Sequence, residues 1–198
     1  MNLLKCGIGL LAFTCFLAVP VYPDTPLTVT RCIDGDTLQL SNGEKVRLIG
    51  VDTPESKNNA KTRRDAKRTE QDIKAITEQG KKAKEFTRQL VEGKQVRLEF
   101  DVRQRDKYGR LLAYVYVVSD IPNVVLPNKR IGHYDVQGEK YYEEFLNATL
   151  VWSGYAQVMT VPPNVKYQEL FHRLQEEARG QGAGFWGESL NNMKVDAR

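Results

Sequence analysis

The chain has 198 residues, of which 41% are hydrophobic and 27% charged, with a formal net charge of +4. This balance fits one ordinary domain with extensions and enough apolar material for a real core. Mild basicity is compatible with an anionic partner without demanding one, and only two histidines, His133 and His172, argue against a multi-histidine zinc site.

The N-terminus differs from the rest. Lys5 is the sole charged side chain before Asp24, and the run from Cys6 to Val21 is almost wholly apolar. A basic start followed by such a run reads as a secretory signal. An uncleaved membrane anchor is the alternative, since no clean small-x-small triplet marks a cleavage site before Asp24; a buried N-terminal helix is the blandest reading. Residues 1–23 are therefore assigned to a signal or anchor, 26–188 to the domain, and 189–198 to a loose tail. Loss of the N-terminal segment would remove Cys6 and Cys15, leaving Cys32 with no partner for an internal disulfide and no multi-thiolate metal site.

Strand formers dominate Thr28 to Ile33 and Thr37 to Leu40, with a turn at Gly35. Ser41-Asn42-Gly43 is a hairpin signal, because Asn-Gly readily takes positive φ. Lys45 to Val51 is expected as a third strand. From Lys57 to Val91 the composition turns polar, while Ile73, Ile76, Ala83, Phe86 and Leu90 recur at helical spacing. Gly80 predicts two helices or one bent helix there. Ten Lys or Arg stand against four Asp or Glu between Lys57 and Lys84, which marks either a solvated helical face or a basic arm that tracks phosphates.

Gln95 to Phe100 alternates as a half-buried strand, Asp106 to Arg110 is a turn, and Leu111 to Val118 is apolar on both faces, hence central. Ile121 to Lys140 reads as a loop or insertion. Tyr142 to Trp152 and Tyr167 to Arg179 are expected to be helical, the second with a stripe of Leu170, Phe171, Leu174 and Ala178 ended by Gly180, Gly182 and Gly184. Strands, a helix, two strands and then helices predict an α+β architecture, a small antiparallel barrel with packed helices.

Unusual polar residues concentrate in three stretches: Asp34-Gly35-Asp36-Thr37, Arg47 through Glu55, and Asp106 through Arg110. Each alone is ordinary turn or cross-strand chemistry. Together they have more point. Asp36 and Asp52 lie at strand ends that short hairpins bring together; two carboxylates with a backbone carbonyl and waters make a hard-oxygen site suited to Ca²⁺. Without a cation the carboxylates would repel. Arg47 and Arg110 suit bidentate phosphate binding, and Glu55 is a further carboxylate able to orient or deprotonate a water.

These stretches resemble the signature of the staphylococcal nuclease family: IDGDT at 33–37, VRLIGVDTPE at 46–55 and DKYGRLLAYVY at 106–116. A weaker match continues through Leu146-Asn147 and Gly154-Tyr155-Ala156 to Phe185-Trp186, so the likeness spans about Leu27 to Glu188. It implies a five-stranded OB-type barrel with about three helices, and a calcium-dependent endonuclease cutting DNA and RNA to 3′-phosphate products. By position, Asp36 and Asp52 would be the calcium carboxylates and Thr53 would lend its carbonyl. Glu55 would be the general base or water-orienting group. Arg47 and Arg110 would bind the scissile phosphate, Lys107 and Tyr108 the terminal phosphate, and Asp34 would support the metal site.

The chain departs from the family pattern in three places. Met159-Thr160-Val161-Pro162 stands where the prototype has two tyrosines, the segment after Glu55 is longer and more basic, and 122–138 looks inserted. The alternatives to an enzyme are an OB-type nucleic-acid-binding module that has lost catalysis, and a membrane-tethered scaffold; the retained set of Asp36, Arg47, Asp52, Glu55 and Arg110 favours catalysis. An exported monomer is expected, with a membrane tether if the N-terminal segment stays.

Overall fold

Alternating apolar residues drive the first strands. In β1 (Leu27–Asp34), β2 (Thr37–Leu40) and β3 (Lys45–Leu48), the side chains of Val29, Cys32, Leu38, Leu40, Val46 and Leu48 are buried. The computed structural model describes residues 27–69, 72–119, 131–136 and 139–187. β1 pairs antiparallel with β2, and β2 with β3, across a turn in which Gly43 takes φ 83°. The third strand ends at Leu48 instead of Val51. Gly50 takes φ 79° there, and the Phe171 ring fills the space beside its Cα. The chain then forms β4 (Val51–Asp52), which pairs with the equally short β9 (Gln157–Val158).

β5 (Gln95–Glu99) joins β1, and β6 (Leu111–Ser119) joins β5. β6 also pairs in parallel with β3, with Val46, Arg47 and Leu48 opposite Leu111, Leu112 and Ala113. That pairing closes β3-β2-β1-β5-β6 into the expected five-stranded barrel, but a mixed one and not the wholly antiparallel one the strand order predicts, because the closing contact joins two strands that run in the same direction. Leu111, Ala113, Tyr114, Val115, Val117 and Val118 of β6 are all buried, as a central strand covered on both faces requires.

Among the described residues there are four helices, and the basic segment supplies two of them, α1 (Ala60–Thr69) and α2 (Ile73–Val91). α1 is described to Thr69 and α2 from Ile73, and α2 runs unbroken through Gly80. That glycine answers to a contact: a Cβ there would overlap the Glu55 carbonyl and come within 2.6 Å of the Ser56 amide. Ile76, Ala83, Leu90 and Val91 are buried on α2, and the Thr87 hydroxyl donates to the Gly35 carbonyl at 2.8 Å. One helix therefore braces both the 34–36 turn and the 55–56 backbone.

The expected helix over Tyr142–Trp152 is shorter. α3 covers Leu146–Trp152, and the residues before it belong to β8 (Glu139–Phe145). β8 pairs with β6 on one side and β7 (Ile131–Val136) on the other, so the insertion adds a hairpin to the barrel sheet. Tyr142 to Phe145 carry nothing that forbids a helix; the open edge of β6 decides against one by taking up their backbone hydrogen bonds. Arg97 on β5 grips Glu143 of the hairpin with Nε and Nη2, the latter at 2.7 Å from Oε2.

α4 (Gln168–Gly180) buries Phe171, Leu174 and Ala178 as its spacing predicts, and Gly182 beyond it takes φ 62°. Buried Asn147 on α3 donates to the Ile49 carbonyl at 2.8 Å and accepts from the Val115 amide at 2.9 Å. It thereby pins the chain leading into β4 against β6. The N-terminal segment 1–23 and the tail 189–198 lie outside the described residues. No helix among the described residues is long and apolar enough to cross a membrane.

Candidate active site

The β1–β2 turn delivers Asp34 and Asp36, and Gly35 between them allows a close neighbour. A Cβ on Gly35 would lie 2.8 Å from Thr53 Oγ1. Thr53 uses that space to reach Asp36: its amide and hydroxyl both donate to Asp36 Oδ2 at 3.0 Å. The Thr37 hydroxyl donates to Oδ1 at 3.0 Å, and Arg47 Nη2 stands 3.2 Å from Oδ2. Burial opposes the charge on Asp36, but Arg47, the Thr53 amide, Lys61 and the Thr37 hydroxyl outweigh it and hold the carboxyl below the ordinary range.

Arg47 is buried on β3, and both terminal nitrogens of its guanidinium are engaged. Nη1 donates to the carbonyls of Leu48 at 3.1 Å and Val51 at 2.8 Å, and Nη2 donates to Asp52 Oδ1 at 2.8 Å. Asp52 is set in place by the β4–β9 pairing, opposite Gln157. Burial, aided by the charge on Asp36, lifts its carboxyl above the ordinary value in spite of Lys61 and Arg47.

Lys61, in the first turn of α1, completes the cluster. Its ammonium lies 2.9 Å from Asp52 Oδ1, 3.0 Å from Glu55 Oε1 and 3.1 Å from the Thr53 carbonyl. Burial works against the lysine charge, but Asp52, Asp36 and Glu55 prevail and raise its pKa above the usual lysine value. Glu55 Oε2 accepts from Asn59 Nδ2 at 2.7 Å. Asn59 Oδ1 in turn accepts from the amides of Lys61 and Thr62 at the start of α1. Asp34 is pushed up to about 6 by burial and by the charges of Glu55 and Asp36.

The 106–110 turn forms a second wall. Asp106 Oδ1 accepts from the amides of Tyr108 and Arg110, and Oδ2 accepts from Arg110 Nε at 2.7 Å. Gly109, at φ 80°, makes the reversal possible. Arg110 is thus anchored by Nε, with Nη1 at 3.5 Å from Thr37 Oγ1 and so one hydroxyl away from Asp36. Tyr108 is 72% exposed, with the Lys107 ammonium 5.1 Å and the Arg110 guanidinium 5.5 Å from its ring centre. Arg47, Lys107, Tyr108, Arg110, Met159 and Val161 share one open cleft of about 570 Å³. Where the resemblance leads one to expect two tyrosines, the rim carries exposed Met159 and Val161.

All nine residues singled out in the sequence thus fall in or beside one region: Asp34, Asp36, Arg47, Asp52, Thr53 and Glu55 in the cluster, and Lys107, Tyr108 and Arg110 on the facing turn. Sequence reasoning missed Lys61, Asn59 and Gly80. The local signal was thin, namely a lysine six positions beyond Glu55 in a segment crowded with lysines. For a metal, the donor chemistry is that of a hard cation, since two carboxylates and a carbonyl already surround the Lys61 ammonium. Among the described residues no three acidic, histidine or cysteine side chains form a metal cage unaided; Arg47 and Lys61 stand among the carboxylates and neutralise them.

An OB-type barrel with clustered carboxylates, two guanidinium groups and a basic rim on an open cleft defines a protein built to handle phosphate esters. The family model described as staphylococcal nuclease homologue matches residues 45–188. The chain is 34% identical over 161 residues to a thermonuclease of Staphylococcus intermedius, covering 80% of this chain and 74% of that protein. It is 33% identical over 168 residues to the endonuclease YncB of Bacillus subtilis (strain 168), covering 82% of this chain and 62% of that protein. The chain belongs to the staphylococcal nuclease family.

Proposed function

We propose that this chain is a calcium-dependent nuclease that hydrolyses phosphodiester bonds in DNA and RNA and leaves 3′-phosphate ends. One observation carries the reading: Asp36, Arg47, Asp52, Thr53 and Glu55 converge in one cluster beside a cleft that presents Arg110. Asp36, Asp52 and the Thr53 carbonyl are the oxygens that would hold calcium, which when bound supplies charge to polarise the phosphoryl group. Glu55 is the carboxylate in position to orient or deprotonate an attacking water. Arg47 and Arg110 bind the scissile phosphate and offset the charge that grows in the transition state, Arg110 from the facing wall and Arg47 from its place between Asp36 and Asp52. Lys107 and Tyr108 stand at the rim to receive a terminal phosphate. The names of the relatives support nuclease chemistry; the apolar Cys6–Val21 run supports export, with release or tethering decided by its cleavage.

The test uses the purified full-length chain with single-stranded DNA, double-stranded DNA and RNA, in calcium or in a chelator. Cleavage is expected only with calcium. Product ends should resist polymerase extension until treated with a phosphatase. Nucleic-acid binding without cutting in either condition would replace this reading with that of an inactive binding module.

The close approach of Gly80 to the Glu55 backbone leads to a second expectation. Gly80→Ala forces the 55–56 segment away from α2. Overpacking of this kind costs about 1–3 kcal/mol. A displacement near 1 Å of a positioned catalytic group lowers turnover roughly 10²-fold. Urea unfolding and single-turnover kinetics check both; unchanged turnover would mean that the Glu55 segment tolerates the shift.

A further inference from the structure

Lys61 is in an unusual place for a helix-surface lysine. Its neighbours on α1, Arg63, Arg64, Lys67 and Arg68, are exposed, whereas Lys61 turns inward with its side chain 27% exposed. Three oxygens surround its ammonium, and they are Asp52 Oδ1, Glu55 Oε1 and the Thr53 carbonyl. Two of these three belong to the set assigned above to calcium, and the third is the water-orienting carboxylate. The helix that carries Lys61 is tied to the same carboxylate, because Asn59 both caps α1 and donates to Glu55. A lysine ammonium and a divalent ion cannot share one set of oxygens, since a unit and a double charge about 3 Å apart repel strongly.

We propose that Lys61 is the built-in cation of this oxygen cluster and sets the affinity of the site for its divalent metal. The inference rests on the reading that these oxygens bind such a metal. In the metal-free chain the ammonium keeps Asp52, Glu55 and the Thr53 carbonyl gathered around a positive charge, so the site does not open through carboxylate repulsion. Metal entry requires the ammonium to leave. The four-carbon stem allows this without unfolding α1, and the displaced charge then joins the outward basic face formed by Arg63, Arg64, Lys67 and Arg68. Lys61 thus weakens metal binding while keeping the site ordered in its absence.

Calcium titration of the full-length, metal-free chain by calorimetry tests this. Lys61→Met keeps the stem and removes the charge, and its Kd for calcium is expected to fall at least roughly tenfold. Lys61→Arg keeps a positive charge and should bind calcium no more tightly than the wild type. The melting temperature provides a second readout: without metal Lys61→Met should melt below the wild type, and saturating calcium should raise it by more. On the unaltered chain, acetylation of Lys61 by a soluble anhydride, read by mass spectrometry against exposed Lys57 and Lys67, should increase when calcium is added. A folded Lys61→Met that binds calcium as the wild type does, or more weakly, overturns the role of Lys61 and leaves the metal reading standing. Acetylation that stays constant or falls does the same. Absence of calcium binding by every form overturns the metal reading and the lysine proposal together.

Discussion

Arg47→Met is expected to lose stability and activity together. Its guanidinium joins two backbone carbonyls and two carboxylates, with side-chain exposures of 11% for Arg47 and 7% for Asp36. Removing it leaves Asp36 buried with the Thr53 and Thr37 donors but without the adjacent counter-charge. Losing one partner of a buried pair costs about 3–5 kcal/mol, well above the ~1 kcal/mol of an ordinary hydrogen bond. Turnover should fall roughly 10²–10³-fold, since the carboxylates lose their register and the site loses a positive charge. Urea unfolding in chelator measures the first effect. A double-mutant cycle with Asp36→Asn assigns it: the penalty should shrink when Asp36 is already neutral. Equal penalties in both backgrounds would show that the carbonyl contacts, not the ion pair, hold this part of the barrel. Excess calcium should recover part of the lost stability by binding only the folded chain.

Arg110→Met separates the two effects. The Arg110 side chain is 29% exposed and pairs with Asp106, which retains the amides of Tyr108 and Arg110 whatever the side chain. A pair of this exposure contributes about 1 kcal/mol or less, so the urea midpoint should barely move. Turnover should nonetheless drop roughly 10²–10³-fold, because this guanidinium is anchored through Nε on the wall of the cleft. Lysine should not rescue it, having a point charge where two parallel donors are needed. The split between kcat and KM is the decisive measurement. A raised KM with unchanged kcat would make Arg110 a ground-state binding group and remove it from transition-state stabilisation.

The difference in how these arginines are anchored was not legible in the sequence, which offers both alike as phosphate clamps. Arg47 lies in β3, and its partners Leu48, Val51 and Asp52 are within five residues, so these contacts follow from the local turn that leads from β3 into β4. Arg110 reaches Thr37 only because β6 pairs in parallel with β3, a contact between segments more than sixty residues apart. Gly80 illustrates the same limit: as a helix residue it predicts a break, but its reason lies in the backbone of Glu55 across the fold. Tyr142 to Phe145 illustrate it for secondary structure, where a stretch able to form a helix was taken by the edge of β6.

What the sequence determined by itself was local: alternating strands, the Asn-Gly turn, the stripe on α4, and the short motifs that bring Asp36, Arg47, Asp52, Thr53 and Glu55 within reach. Those features depend on backbone preferences and side-chain periodicity over a few residues, which residue order encodes directly. The tertiary structure alone decided that Lys61 leaves the basic face of its helix for the carboxylates. Burial among Asp52, Glu55 and the Thr53 carbonyl gives that ammonium three oxygen partners, and no pattern of spacing along α1 distinguishes it from the four cations that stay outside.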